Sequence, residues 1–298
     1  MRSSSPPAQR TTWTYKALRG YFSHDDDPAS WEFRATTRSG LGLLNRTYET
    51  DITFDPTQER TQWERFEHYV QHLNRADPDN VRYKVFYIAR HGEGVHNVKE
   101  ASVGRTEWER RWSRVDGDGV LMWADAALTS LGEKQASEAA TFWIDAFKTA
   151  KIPIPGTFYS SPLRRCLRTL EIAFAELVAS QGRPFEPVIK ELLRERLGVH
   201  TCDRRSTRTW IQKNYPAFVI EDGLTEEDEL WEPDVRETYD EHVKRTTELL
   251  GDIFKNDSSA FISATTHSGA IMSILRATGY GEIPVAAGAI FPLLVKAE

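Results

Sequence analysis

The hydrophobic and polar positions of the chain follow two alternating periods. Short apolar runs rich in β-branched and aromatic residues predict buried strands at residues 84–90, 157–160, 188–189, 260–266 and 289–295. Between these runs, apolar residues recur every three or four positions, which is the spacing of an amphipathic helix. Strands that alternate with helices predict an α/β fold whose mostly parallel sheet is covered on both faces. We therefore expect a three-layer α/β/α architecture.

The predicted helices have recognisable start signals. Asp55 as N-cap, with Pro56 at the first helical position, begins one helix. Ser130 and Glu133 form a capping box for a second helix, and Ser161 is the expected N-cap of a third. The buried face of the second helix is predicted to comprise Leu131, Ala136, Ala139, Ala140, Trp143 and Phe147. Two further helices are predicted at residues 239–254 and 270–278.

The length of 298 residues suits one large domain. We predict a single catalytic domain at residues 81–298, with insertions at about 99–127 and 198–240, where the alternation of elements breaks down. Residues 1–80 are predicted to be an N-terminal extension that packs on this core. Its first ten residues are Ser/Pro-rich and are expected to be disordered.

The charge balance limits the class of partner. There are 38 basic and 44 acidic residues, for a net charge of −6, which argues against a protein that coats nucleic acid or an anionic membrane. Residues 221–241 contain eleven acids and one base, so the rest of the chain is net basic. A small anionic ligand is therefore compatible with the composition. The acidic run at residues 226–229 is predicted to be a solvated surface.

Cysteine usage and the N-terminus favour a cytoplasmic protein. Cys166 and Cys202 are too few for a disulfide scaffold, which makes a reducing compartment the default. No apolar run approaches 18 residues, and the polar start has no signal-peptide core.

Chemically active residues follow three of the predicted strands. Ligands bind outside the carboxyl ends of parallel strands, where these residues would meet. The three groups are Arg90-His91-Gly92-Glu93 with His96-Asn97, then Ser161-Pro162-Leu163-Arg164-Arg165, then Thr266-His267-Ser268-Gly269. Two histidines and at least two arginines are therefore expected at one edge of the sheet.

Five motifs occur in a fixed order across residues 84–295. They are Arg90-His91-Gly92 with Asn97, Leu128-Thr129-x-x-Gly132, Ser161-x-Leu163-x-Arg165-x-x-x-Thr169, Leu193-Arg194-Glu195, and the late His267. Together they resemble the histidine phosphatase superfamily, in its phosphoglycerate mutase-like branch (branch 1). Within that branch, the long N-terminal extension and Gly198-Val199-His200-Thr201-Cys202-Asp203-x-Arg205 resemble the fungal phosphomutase-like proteins. The resemblance implies the three-layer fold already expected.

The resemblance also implies a reaction through a phosphohistidine. His91 would be the nucleophile, because a neutral imidazole can attack phosphorus when the phosphoryl oxygens are neutralised. Arg90, Arg165 and His267 would supply that neutralisation. Glu195 would protonate the leaving alkoxide and then activate the water that hydrolyses the phosphohistidine. No metal and no cofactor are expected.

Further candidates are predicted to bind the substrate. They are Asn97, Gly92, Glu93 and Ser268, together with His200 and Arg205 from the fungal-type motif. His200, Cys202 and Asp203 also form a metal-ligand pattern, but a fourth ligand is missing from it. No metal site is predicted.

Hydrolases and mutases of the family share this core. A mutase must exclude water, and the family's mutases have a longer tail than the 31 residues that follow His267 here. We therefore expect a metal-independent phosphomonoester hydrolase for a small phosphorylated metabolite. The alternatives are a phosphoglycerate-type mutase and a recruited non-phosphatase or binding role. A sugar phosphate, another small metabolite phosphate and a prenyl-type phosphate stay open as substrates, and a homodimer stays open as the assembly.

Overall fold

Seven strands form one mixed sheet in the computed structural model, which describes residues 13–26, 36–77 and 80–298. They are β1 (Tyr15–Ala17), β2 (Arg82–Arg90), β3 (Thr157–Ser160), β4 (Val188–Ile189), β5 (Val219–Ile220), β6 (Phe261–Thr266) and β7 (Ile290–Ala297). Their order across the sheet is β1-β7-β2-β6-β3-β4-β5. The strands from β2 to β5 in this order pair in parallel, whereas β7 is antiparallel to both β2 and β1. The predicted mostly parallel sheet is confirmed.

Helices cover both faces of this sheet. They are α1 (Asp51–Phe54), α2 (Gln62–Ala76), α3 (Val95–Val103), α4 (Arg105–Arg110), α5 (Ser130–Thr149), α6 (Arg164–Ser180), α7 (Arg208–Asn214), α8 (Tyr239–Asn256) and α9 (Ser268–Ala277). Alternate residues of β2 point to opposite faces, as the pleat requires. Val85 and Tyr87 join the apolar core beneath α2, α5 and α6, while Phe86 and Ile88 join the core beneath α8 and α9. The three-layer α/β/α prediction is confirmed.

Three predicted helix starts are wrong by a few residues. The helix expected from Asp55 begins instead at residue 62, where Thr61 and Glu64 form the capping box. Gln58 has a φ of +59°, which interrupts any helix that begins before it. The N-cap of α5 is Thr129, one residue before the predicted Ser130.

The predicted buried face of α5 and the start of α6 also need correction. Leu131 is 48% exposed, so it does not belong to the buried face. Helix α6 begins at residue 164 with Leu163 as its N-cap. Ser161, the expected N-cap, lies two residues earlier; its hydroxyl accepts from the N–H of Leu163 at 3.4 Å and lies 2.8 Å from Nε2 of His267.

The described part of the N-terminal segment packs against the same core. Strand β1 pairs with β7, and Tyr21 and Phe22 lie in one apolar cluster with Trp63 and Tyr87. The predicted domain boundaries stay a prediction, and the expectation for the first ten residues lies outside the described part of the chain. Among the described helices, none combines the length and apolar character that crossing a bilayer requires.

The two predicted insertion regions contact each other beside the carboxyl edge of the sheet. Trp108 and Trp123 of the first pack with Cys202 of the second. The second region contains the acidic run, and its predicted solvated character is wrong at Asp228. The Asp228 carboxylate is only 4% exposed and accepts a hydrogen bond of 2.7 Å from the fully buried Arg194. Burial of an arginine requires such a partner, which explains the inward-facing acid.

Candidate active site

The carboxyl ends of three parallel strands bring the predicted catalytic histidines together. The backbone N–H of His91, directly after β2, donates to the carbonyl of Thr266 at the end of β6, at 3.0 Å. The N–H of Ser161, directly after β3, donates to the carbonyl of Thr265 at 3.1 Å. The rings of His91 and His267 then lie 5.1 Å apart between centroids. The sequence prediction that these strand ends share one edge is therefore confirmed.

The ring of His91 is held in the tautomer that a nucleophile needs. Its Nδ1 lies 2.7 Å from the carbonyl oxygen of Gly92, so Nδ1 carries the proton and donates it there. Its Nε2 accepts a hydrogen bond from Nε of Arg165 at 3.2 Å. Nε2 therefore carries the lone pair of the ring, and that lone pair must give up its hydrogen bond to Arg165 before it can attack.

Arg165 connects both histidines to a turn of the second insertion. Its Nε–H is shared between Nε2 of His91 and Nδ1 of His267, each at 3.2 Å. Its terminal nitrogens donate to the carbonyl of Cys202 at 2.6 Å and to the carboxylate of Asp203 at 2.8 Å. Four hydrogen bonds thus hold one buried guanidinium in a single orientation.

His267 contacts this guanidinium but is not among the residues that line the cavity. Because its Nδ1 accepts from Arg165, its Nε2 carries the proton and donates to the hydroxyl of Ser161 at 2.8 Å. The ring is fully buried. In this state His267 presents a lone pair toward the site, so it can donate to a phosphoryl oxygen only after gaining a proton.

Burial and positive charge keep both rings neutral. Burial, followed by the charges of Arg165 and Arg90, holds the pKa of His91 well below 6.5. Burial and Arg165 lower the pKa of His267 in the same way. Burial alone would raise the pKa of Asp203, but Arg236 and Arg165 hold that pKa well below its ordinary value. The resting site therefore combines neutral imidazoles with an ionised carboxylate that anchors Arg165.

A cavity of about 480 Å³ opens beside His91. A volume of this size suits a small-molecule ligand. Five arginines contribute to its wall, namely Arg90, Arg105, Arg165, Arg196 and Arg236, and so do the acids Glu100, Glu195 and Asp203. Tyr239 and Arg105 form the part of the wall that faces solvent: Tyr239 is 54% exposed and the side chain of Arg105 is 67% exposed. The wall is rich in permanent positive charge, which suits an anionic ligand.

Glu195 is fixed in the cavity wall by two backbone N–H groups. Its Oε1 accepts from the N–H of Arg196 at 2.9 Å, and its Oε2 accepts from the N–H of Gly269 at 2.8 Å. A Cβ atom at Gly269 would lie 1.9 Å from Oε1 of Glu195, so only glycine permits this approach. The first turn of α9 therefore positions the predicted acid.

The structure brings some predicted substrate-binding residues to the cavity and leaves others away from it. Asn97, Ser268 and His200 line the wall. The carboxamide oxygen of Asn97 accepts a hydrogen bond from the N–H of Gly94 at 2.9 Å. The NH₂ group of Asn97 is therefore the part of the side chain that can donate to a ligand. Nε2 of His200 lies 2.8 Å from the carboxylate of Glu109.

The other three predicted substrate-binding residues have structural partners. The N–H of Gly92 donates to the hydroxyl of Thr169 at 3.1 Å. The carboxylate of Glu93 accepts from the hydroxyl of Thr129 at 2.7 Å. Arg205 is buried, binds Glu191 at 3.0 Å and donates to backbone carbonyls of the acidic run. None of the three is among the residues that line the cavity, so their predicted contact with substrate gains no support.

His200, Cys202 and Asp203 do lie close together, with potential ligand atoms within 4.8 Å of one another. Their chemistry does not suit a cation. Asp203 already binds the guanidinium groups of Arg165 at 2.8 Å and Arg236 at 3.1 Å. Burial raises the pKa of the Cys202 thiol well above its ordinary value, which opposes the thiolate that a metal requires. Asp203 and the carbonyl of Cys202 orient Arg165 instead.

Comparison with known proteins agrees with this geometry. The family model described as "Histidine phosphatase superfamily (branch 1)" matches residues 86–288, which include His91, Arg165, Glu195 and His267. The chain belongs to this superfamily. Members of the superfamily are phosphatases or mutases.

Two of the curated relatives come from fungi. "Probable phosphoglycerate mutase" of Arthroderma benhamiae is 44% identical over 288 residues, covering 96% of this chain and 85% of that protein. "Probable phosphoglycerate mutase PMU1" of Saccharomyces cerevisiae is 36% identical and covers 88% of each chain. The solved phosphoglycerate mutase of Thermus thermophilus covers 69% of this chain and 90% of its own, with 21% identity and a TM-score of 0.37.

Sequence reasoning missed several residues that complete this histidine phosphatase site. Asp203 and the carbonyl of Cys202 hold Arg165, and Ser161 holds His267. Gly269 makes room for Glu195. The signal for Asp203 is its place in the fungal-type motif, but that pattern alone does not distinguish a partner of an arginine from a metal ligand. Nothing in the local pattern indicates that Ser161 also binds His267.

Proposed function

We propose that the protein is a metal-independent phosphomonoester hydrolase that acts on a small phosphorylated metabolite through a phosphohistidine. The observation that carries the proposal is His91, which is neutral, unprotonated at Nε2 and part of the wall of a cavity that Glu195 also lines. Arg90 and Arg165, which line the same cavity, supply the positive charge that a transferring phosphoryl group needs.

The reaction takes two displacements. Nε2 of His91 forms a bond to phosphorus as the ester P–O bond breaks, and the leaving oxygen takes a proton from Glu195. Water then attacks phosphorus and Glu195 accepts its proton. The N–P bond breaks, which returns the electron pair to Nε2 and releases inorganic phosphate.

Solvent access favours hydrolysis over mutase chemistry. The exposed Tyr239 and Arg105 belong to the cavity wall, so water reaches the site from that side. A mutase must keep water away from its phosphohistidine. A phosphoglycerate-type mutase is the second candidate, because both fungal relatives are named as probable phosphoglycerate mutases.

One experiment separates these candidates. The purified protein is incubated with a panel of phosphomonoesters and with a phosphoglycerate, in ¹⁸O-labelled water with a chelator present. Hydrolysis predicts inorganic phosphate that contains one ¹⁸O atom per turnover. Conversion of the phosphoglycerate to its positional isomer without phosphate release would show that the protein is a mutase and not a hydrolase. Turnover that stops with the chelator and returns with added metal would contradict metal independence, and no turnover of any compound by folded protein would favour a binding role.

A further inference from the structure

His96 is a second histidine in the cavity wall, and the catalytic scheme above does not use it. It lies in the first turn of α3, is 8% exposed, and lines the same cavity as His91. The centroids of the two rings are 5.7 Å apart. A phosphoryl group on Nε2 of His91 would therefore lie near the His96 ring.

The orientation of this ring is fixed by Gly94. A Cβ atom at Gly94 would lie 2.6 Å from Nδ1 and 2.7 Å from Cε1 of His96, so that edge of the ring packs directly on the glycine backbone. Nδ1 is buried and has no hydrogen-bond partner among the described residues. Nε2 is consequently the ring nitrogen on the side away from Gly94.

The surroundings keep this ring neutral. Burial comes first, and the charge of Arg165 adds to it in holding the pKa of His96 well below 6.5. Asp203 acts in the opposite direction and Arg90 in the same direction as Arg165. A neutral imidazole has one N–H donor, and it adds no positive charge that would compete with the arginines for the phosphoryl oxygens.

We propose that the Nε2–H of His96 donates a hydrogen bond to the phosphoryl group that is transferred to His91. The inference rests on the proposed function, because it assigns a further residue to the same phosphoryl site. The alternative role for this side chain is packing against Gly94 alone.

Two variants distinguish donation from packing. His96→Gln keeps an N–H donor near the position of Nε2, whereas His96→Phe keeps the ring and removes the donor. Inorganic phosphate is the probe, with its Kd measured by calorimetry and thermal unfolding followed in parallel. Donation predicts that His96→Phe weakens phosphate binding by about 10- to 100-fold, the loss typical of a hydrogen bond to a charged group. It predicts a change of about threefold or less for His96→Gln. Unchanged binding by His96→Phe, or a loss of more than about threefold for His96→Gln, would overturn the proposal.

A spectroscopic measurement on the wild-type protein needs no variant. The ¹⁵N resonance of His96 Nε2 is followed while inorganic phosphate is added. Donation predicts a shift that saturates with phosphate binding, and an unchanged resonance at saturating phosphate would contradict it. Binding of phosphate does not require turnover. Wild-type protein that binds phosphate through His96 but hydrolyses no ester would therefore refute the proposed function, while the contact between His96 and phosphate would stand.

Discussion

The Nε–H of Arg165 points at the Nε2 lone pair of His91 across 3.2 Å. This contact orients the ring of His91, the proposed nucleophile, and the positive charge opposes protonation of that ring. A phosphoryl group that approaches His91 meets the same guanidinium. Arg165 thus orients the proposed nucleophile, His91. The same guanidinium would stabilise the negative charge of the phosphoryl group that His91 attacks.

Replacing the anchor of Arg165 should impair this arrangement. Asp203→Asn leaves Arg165 and Arg236 without their shared buried carboxylate. We expect kcat/KM for an aryl phosphate to fall by about 10- to 100-fold, since hydrogen bonds to charged groups contribute about 1.5–3 kcal/mol. Steady-state kinetics with matched unfolding curves would measure this.

Asp116→Asn is the matched control. Asp116 pairs with Arg204, and both side chains are substantially exposed. Exposed pairs contribute about 0–1 kcal/mol, so this variant should retain wild-type activity. Equal losses in the two variants would show that loss of an acid in this region acts through stability and not through Arg165.

Gly269→Ala should displace Glu195. The new Cβ would lie 1.9 Å from Oε1, so the carboxylate must move. We expect kcat on an alkyl phosphate to fall about 100-fold, the loss typical of a ~1 Å misplacement. Gly251→Ala in α8 is the control, because a Cβ atom there would lie at an ordinary contact distance of 3.4 Å from the Tyr15 hydroxyl. If both variants keep full activity, the contact between Gly269 and Glu195 does not position the acid.

The role of Glu195 itself depends on the leaving group. Glu195→Gln keeps the size of the side chain and removes the acidic proton that would be transferred to the leaving group. We expect alkyl phosphates to lose about 10²- to 10⁴-fold in rate, while aryl phosphates retain phosphohistidine formation because phenolates leave without protonation. Rapid-quench kinetics on the two substrate types would test this. Equal losses of phosphohistidine formation on both would contradict a leaving-group acid.

The sequence was sufficient to predict where residues at the ends of strands would lie. His91 and His267 directly follow buried apolar runs, and parallel pairing of β2 with β6 then places them together. The order of elements and the mostly parallel sheet depend on the same apolar pattern. These features were predicted because strand periodicity and strand-end position are local properties of the chain.

Features that depend on distant segments could not be predicted in this way. The turn at Asp203 reaches Arg165 only after the second insertion has folded back on α6, and Asp228 turns inward only because Arg194 is buried there. Ser161 keeps only a long hydrogen bond of 3.4 Å from the N–H of Leu163, because its hydroxyl also accepts the Nε2–H of His267 at 2.8 Å. In each case a long-range polar contact outweighs the local preference.

Protein stability should fall as the solution becomes acidic. The pKa of His267 is held well below 6.5 in the folded protein, by burial first and then by Arg165, whereas the unfolded chain protonates this ring near pH 6.5. Its contribution is therefore complete above about pH 6.5 and is lost as the pH falls toward the folded pKa. The expected loss is up to about 1.4 kcal/mol per pH unit for this one group.

Chemical denaturation between pH 7.5 and 5.5 would measure this loss. His267→Asn should show a shallower dependence of the free energy of unfolding on pH than the wild-type protein. Identical slopes would mean that His267 takes up a proton in the folded state as readily as in the unfolded chain.

The central claim is that the phosphoryl group passes through Nε2 of His91. Rapid mixing with an aryl phosphate, followed by quenching in base and mass spectrometry, would test it most directly, with His91→Ala and a His72→Ala control at a ring outside the cavity. We predict a phosphoryl group on His91 in the wild-type protein and in His72→Ala, and neither a phosphoprotein nor phosphate release in His91→Ala. Phosphate release by His91→Ala at the wild-type rate would contradict the mechanism.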